Sequence, residues 1–226
     1  MWRLANHVSF CWVDGQAVFL DLSRDRYFAL PRSVNRAFQQ WNDQDDARIA
    51  MPEALIKNAL VVPARQDDPG NVQPCTLPAP TEALPLLDLR DRFRITRAVE
   101  AVWTLVRMRR QVRRTPLQKL VVEVSRCNTG SGQSASRISV TDLAMEFARI
   151  RAWFPKHQTS CLPDSLALSM FLNRYGHAAT LAFGVTVHPF GAHCWVQTGT
   201  TLLNDTLDHV VRYTPILVTC LAATSR

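Results

Sequence analysis

Three residues of this chain have the types that acyl transfer requires, in a usable order: Cys161, His193 and Asp205. A thiolate attacks a carbonyl, an imidazole takes the thiol proton and later delivers it to the leaving group, and a carboxylate orients the ring. Free cysteine is more often inert packing, so the setting carries the argument. In QTSCLPDSLAL the thiol falls at the first turn of an apolar segment. Unpaired amides and the positive dipole end of a helix favour the thiolate there and serve a developing oxyanion. His193 lies between PFGA and CWV, at the mouth of a predicted strand, and Asp205 closes the next apolar run, LLND.

Strand geometry gives a second test. In an antiparallel hairpin, directly opposed residues share a face and their numbers sum to a constant, which for His193 and Asp205 is 398. A three-residue loop, Thr198-Gly199-Thr200, satisfies that sum, whereas a two-residue Gly199-Thr200 turn needs a bulge. Other candidates are weaker. Cys194 points away from its neighbour His193 and reads as core. Asp164 and Ser165 occupy the first helical turn, where Asp complements the dipole and either can meet substrate. His188 and His209 read as surface or loop residues. Gln158, next to His157 just before the cysteine, is a candidate oxyanion donor.

These residues need a scaffold. Ser139 with Asp142 three positions later resembles a capping box, and Leu143, Phe147, Ile150 and Phe154 form a buried stripe behind it. The segment SLALSMFLNRYG reads as a core helix closed by Gly176. TLAFGVTV, HCWVQT and TLLND read as strands. Upstream, residues 86–114 carry Phe93, Ile95, Val99, Val102, Trp103, Val106 and Met108 among arginines, which predicts one long amphipathic helix ended by Pro116. The small polar stretch 127–136 reads as a mobile loop.

The first third differs. Residues 6–30 hold three Val-, Phe- and Tyr-rich runs broken at Asp14-Gly15 and at Ser23-Arg24-Asp25, a three-stranded meander. Val34, Phe38 and Trp41 then recur at helical spacing, as do Leu55, Ile56, Ala59 and Leu60 after Pro52. Strands followed by two short helices describe a small winged-helix-like module over 1–62. Six prolines and Gly70 in residues 63–85 read as a linker, leaving 86–226 as the second domain.

Composition narrows the function classes. The chain has 226 residues, 47% hydrophobic and 20% charged, enough apolar content for one sizeable core or two modest ones and too much for disorder as the main state. No basic segment followed by an apolar run opens the sequence and no apolar stretch reaches the roughly 18–20 residues of a membrane span, so a cytoplasmic protein with no membrane partner is expected. Six cysteines without a CxxC pair argue against a disulfide framework and a structural zinc site, and neither metal nor cofactor is expected. The net charge of +7 concentrates in residues 81–137, with 12 basic and 5 acidic side chains, while residues 1–80 are near neutral with 8 and 9. A DNA reader needs its basic groups on the recognition element itself, which weighs against nucleic acid as a partner and against a winged-helix regulator, the competing function.

The residues CLPDSLALSMFLNRYGHAATLAFGV, HPFGAHCWVQ and LLND resemble the C-terminal domain of lasso peptide biosynthesis B proteins, over roughly residues 140–212. The resemblance implies a transglutaminase-like, papain-like fold in an α+β chain. It also implies catalytic roles for Cys161, His193 and Asp205, and a leader peptidase that cuts the precursor before ring closure. Fused members carry a PqqD-like precursor-recognition domain, and residues 6–62 resemble one. The partners so implied are the precursor's leader region and an asparagine-synthetase-like cyclase; no cofactor is required for hydrolysis, and nucleotide dependence is left open. Pro163-Asp164 departs from the basic residue many relatives have nearby. A transglutaminase or other acyltransferase uses the same triad with an amine as acceptor.

Overall fold

The computed structural model describes residues 2–43, 51–64, 73–85, 94–129, 138–154 and 161–219. A short strand β1 (Trp2–Leu4) precedes the meander of β2 (Val8–Val13), β3 (Gln16–Asp21) and β4 (Arg26–Ala29). Its first turn is the two-residue Asp14-Gly15, both with positive φ (50° and 75°), closing Val13 against Gln16. The second loop is held by Asp21, whose carboxylate accepts from the backbone and hydroxyl of Ser23 and from Arg24.

Alternation gives the meander two apolar faces. Phe10, Phe19 and Phe28 lie in register on one face and meet Phe38 of α1 (Arg32–Asp43), where Phe10 and Phe38 rings are 5.3 Å apart edge-to-face. The expected Val34, Phe38 and Trp41 do line that core. The second helix is shorter than expected. α2 (Glu53–Lys57) buries Leu55 but leaves Ile56 exposed, and Ala59 lies beyond it at φ 55°. Strand β5 (Val61–Pro63) returns to pair with β1.

Cys11, Val18, Leu20 and Leu22 face the other way, into the core of the second half of the chain. The module is therefore a layer of the whole molecule. The Pro-rich stretch, where described from residue 73, is also more than a linker. It supplies β6 (Glu82–Ala83), parallel to a later strand, and Gln197 donates to the Pro78 carbonyl at 3.0 Å.

Four helices follow: α3 (Ile95–Val112), α4 (Leu117–Thr129), α5 (Val140–Ala152) and α6 (Cys161–Arg174). The α3 face departs in part from expectation, and Phe93 lies outside the described residues. The expected Met108 is buried, together with Ala98, Ala101 and Leu105, while Ile95, Val99 and Trp103 are 77, 64 and 50% exposed. Alanines allow the close approach of α3 to α6, and Trp103 lies instead under the guanidinium groups of Arg107 and Arg174. Pro116 ends α3 and immediately precedes α4, a helix the sequence reading missed; residues 127–129 of the expected loop belong to it, and 130–136 lie outside the described residues. In α5, Ser139 accepts from the Asp142 amide at 3.0 Å, and Leu143, Phe147 and Ile150 are buried. Gly176, at φ 77°, closes α6.

The remaining elements are β7 (Thr180–Val187), β8 (Phe190–Thr198), β9 (Thr201–Leu202), the single turn α7 (Leu207–Val210) and β10 (Thr214–Thr219). They form a five-stranded sheet ordered β10-β7-β8-β9-β6, against which α6 packs. Among the described residues no helix is long and apolar enough to cross a membrane.

Candidate active site

Cys161 is the first residue of α6, and its thiol is hydrogen-bonded to the His193 ring and to the backbone N–H groups of Cys194 and Leu162. Partial burial opposes ionisation, but these bonds and the imidazolium charge outweigh it and hold the thiol below its usual value. His193 is the fourth residue of β8, inside the strand rather than at its mouth, because β8 begins at Phe190. Its Nε2 meets Oδ2 of Asp205, leaving Nδ1 as the nitrogen that faces the thiol. Burial pulls the ring pKa down, yet hydrogen bonds to Asp205 and Cys161, together with their charges, lift it to about 9. Asp205 is held below the usual carboxylate range: burial opposes, and His193, the Thr206 amide and His209 prevail.

The hairpin reaches this contact by a different route from the one expected. Gln197 opposes Leu202 and Thr198 opposes Thr201, so the turn is the two-residue Gly199-Thr200 and a three-residue loop is excluded. The chain leaves the ladder instead of bulging. Leu203 still donates to Val196, but the next acceptor is a side chain: Asn204 Oδ1 takes the Val196 amide at 2.8 Å. Asn204 Nδ2 donates to Ser165 Oγ at 2.8 Å, and Ser165 donates to the Cys194 carbonyl at 2.9 Å. This relay ties α6 to the segment that carries Asp205.

Two side chains expected elsewhere belong here. His209, read as a surface residue, places Nδ1 3.0 and 3.1 Å from the two Asp205 oxygens. The signal was the i, i+4 spacing from Asp205, usable only once α7 is known. Tyr213 packs on His193 with ring centroids 5.0 Å apart, and Trp195 lies nearly parallel to the same ring at 6.1 Å. Gly184, opposite His193 on β7, makes room for both; a Cβ there would lie 2.8 Å from the Trp195 ring and 2.9 Å from Tyr213 Cβ.

Cys194 faces the opposite side of β8, is 3% exposed and has its thiol pushed well up by burial. Asp164 pairs with Arg109 and Arg151, and Ser165 belongs to the relay, so neither faces the thiol as a free group. His157 and Gln158 lie outside the described residues. His193, Asp205 and His209 each offer one ligand atom within 4.8 Å of the others, a donor set able to take a cation that the sequence reading, lacking His209, did not assemble.

A cysteine opening a core helix, packed on an antiparallel sheet that presents a carboxylate-bound histidine, defines a fold compatible with cysteine-protease-like or acyltransferase chemistry. The chain belongs to the transglutaminase-like superfamily, whose family model matches residues 102–218. No curated protein and no solved structure matches it.

Proposed function

We propose that this protein is a cysteine peptidase that binds the leader of a lasso peptide precursor and cuts it off, releasing the core peptide for ring closure by a partner cyclase. The observation that carries the chemistry is the hydrogen-bonded series Cys161, His193, Asp205, with the thiol held low and the imidazole held high. Such a pair rests as thiolate and imidazolium. Cys161 Sγ attacks the scissile carbonyl carbon, and the π electron pair moves to oxygen. Collapse expels the amine, which takes the proton from His193. Water, deprotonated by His193, then hydrolyses the thioester and frees Cys161. Asp205 keeps the ring oriented throughout.

The peptide-recognition half of the reading rests on the resemblance of residues 6–62 to a PqqD-like domain. Support comes from its two edge strands, β2 and β4, which suit addition of an extended leader segment. A winged-helix regulator is disfavoured, because the meander's second face is buried against the catalytic core. Superfamily membership favours one other reading, transfer of the acyl group to an amine.

The test is mass spectrometry of a lasso peptide precursor, sought among the neighbouring reading frames, after incubation with the full protein. One cut at the leader–core boundary is expected. Incorporation of an added primary amine without hydrolysis would replace the peptidase by a transferase. Calorimetry on Cys161→Ala with leader peptide alone and core peptide alone should show binding of the leader only.

A further inference from the structure

His193 shows its two nitrogens to different neighbours: Nδ1 faces the thiol, and Nε2 meets Asp205 on the side away from it. On that far side His209 Nδ1 also meets Asp205, at 3.0 and 3.1 Å from its two oxygens, and the two imidazole rings lie 4.5 Å apart between centroids. One ligand atom from each of the three residues lies within 4.8 Å of the other two. The strand β8 holds His193, while Asp205 and His209 stand four residues apart at the turn of α7. The His209 side chain is 44% exposed and the other two are 11 and 14%, so solvent reaches the inner ligands past His209. Two imidazoles and one carboxylate, with a fourth position open to water, are a donor set for zinc and its chemical relatives. A cation there takes lone pairs from the same two nitrogens whose N–H groups now share Asp205; the Nε2 proton of His193 leaves to solvent, and His209 carries its proton on Nε2 instead.

We propose that His193, Asp205 and His209 form a reversible site for a zinc-class divalent cation, which stops turnover without touching Cys161 Sγ. The site rests on the geometry; its effect rests on the acyl-transfer half of the proposed function. With the cation on Nε2 the ring is neutral, and its one proton sits on Nδ1 facing the sulfur. Such a ring has no lone pair to deprotonate the water that hydrolyses the thioester, and giving its proton to a leaving amine would leave an imidazolate. Asp205, now a ligand, no longer stabilises an imidazolium. The sulfur keeps the Nδ1–H and the amides of Cys194 and Leu162, so a thiolate still attacks an ester whose leaving group needs no proton. The cation therefore blocks the steps that move a proton through His193 and spares the attack itself.

The test uses the full chain, Zn²⁺ and p-nitrophenyl acetate. Cys161 attacks the ester carbonyl, p-nitrophenolate leaves in a burst as the acetyl thioester is made, and hydrolysis of the thioester sets the steady state that follows. Zn²⁺ should leave the burst within about two-fold and lower the steady state about 100-fold, and EDTA should restore it. A burst lost together with turnover would put the cation on the sulfur and overturn the proposal. Calorimetry gives a readout apart from activity. Cys161→Ala should still bind Zn²⁺, and adding His209→Phe, which keeps a ring but no ligand, should weaken that binding by at least about 10-fold. Asp205→Ala replaces His209→Phe in this comparison if circular dichroism shows the latter unfolded. Co²⁺ bound to Cys161→Ala should show visible bands without thiolate-to-metal absorption, which separates the site from the remaining cysteines. No binding to Cys161→Ala, or equal binding after the second substitution, would end the proposal. A chain that binds Zn²⁺ through His209 yet gives no burst, with or without EDTA, would sink the acyl-transfer reading and leave the cation site standing.

Discussion

Cys161 and Cys194 are near enough that the charge of one raises the pKa of the other, yet their thiols move in opposite directions. Cys194 sits in the wall between β8 and α6, where burial and then the charge of Cys161 push it up and a hydrogen bond from Ser165 does not offset them. Cys161 is also partly buried. It differs in what points at the sulfur: an imidazole, two backbone amides and the start of a 14-residue helix. Reactivity in this fold follows donors aimed at a sulfur rather than exposure.

The largest expected effect removes one side of that contrast. Cys161→Ala should abolish precursor cleavage, and the p-nitrophenolate burst with it, while circular dichroism and leader affinity stay parental. Residual burst in that variant would shift the nucleophile elsewhere and dissolve the comparison.

Asp205→Asn comes next. The carboxylate holds His193 and raises it, and an amide can present its donor side and trap the wrong tautomer. A fall of about 10²–10⁴-fold in single-turnover cleavage is expected, with leader binding retained. An acid profile adds a sharper readout. The Cys161 thiol, held low, is a thiolate once pH exceeds its depressed value, and His193 keeps its proton until pH rises through about 9. Cleavage should therefore decline above about 9, where the leaving amine loses its proton donor. The stability linked to His193 follows the same sign: full below its unfolded value of 6.5, lost as pH rises through about 9. In Asp205→Asn the descending limb should move to lower pH; an unmoved limb would mean that Asp205 is only a turn residue.

The contrast between a legible site and a poorly legible frame has a physical basis. Cys161, His193 and Asp205 stood out because their types and order are chemically restrictive, and the structure brings the three into one hydrogen-bonded series. The meander, α5 and α6 were readable from alternation, the Ser139 cap and Gly176, which are local signals. The buried face of α3 was not. Ile95, Val99 and Trp103 form one large apolar stripe, but Ala98 and Ala101 on the other, with Leu105 and Met108, let the helices approach, and size alone misled. His209 and Asn204 were missed because their roles exist only where the chain leaves the ladder at Leu203, a break that alternation does not encode.

Gly184→Ala probes the support of the reactive side at smaller cost. The new methyl would meet Trp195 and Tyr213, the two rings on which His193 lies. Overpacking of this kind costs about 1–3 kcal/mol, readable as a lowered denaturant midpoint, and cleavage should fall further than stability because the displaced rings carry the imidazole. Equal activity per folded molecule would show that His193 is positioned by Asp205 alone.

The smallest effect is expected at the other cysteine. Residue 194 contributes to the site through its backbone: its N–H donates to Cys161 Sγ and its carbonyl accepts from Ser165. Its side chain only fills space in the wall beneath α6. Cys194→Ala keeps both backbone groups and removes one sulfur from a packed interior, a loss of about 1 kcal/mol. Chemical denaturation should register that loss. The iodoacetamide rate at Cys161, its pH dependence and the rate of precursor cleavage should all stay within about two-fold of the parent, since no donor to the reactive sulfur has moved. A large drop in alkylation rate would mean that the Cys194 side chain sets the position of the strand under the nucleophile. The two thiols would then be coupled through packing, and their difference in reactivity could not be assigned to donors alone.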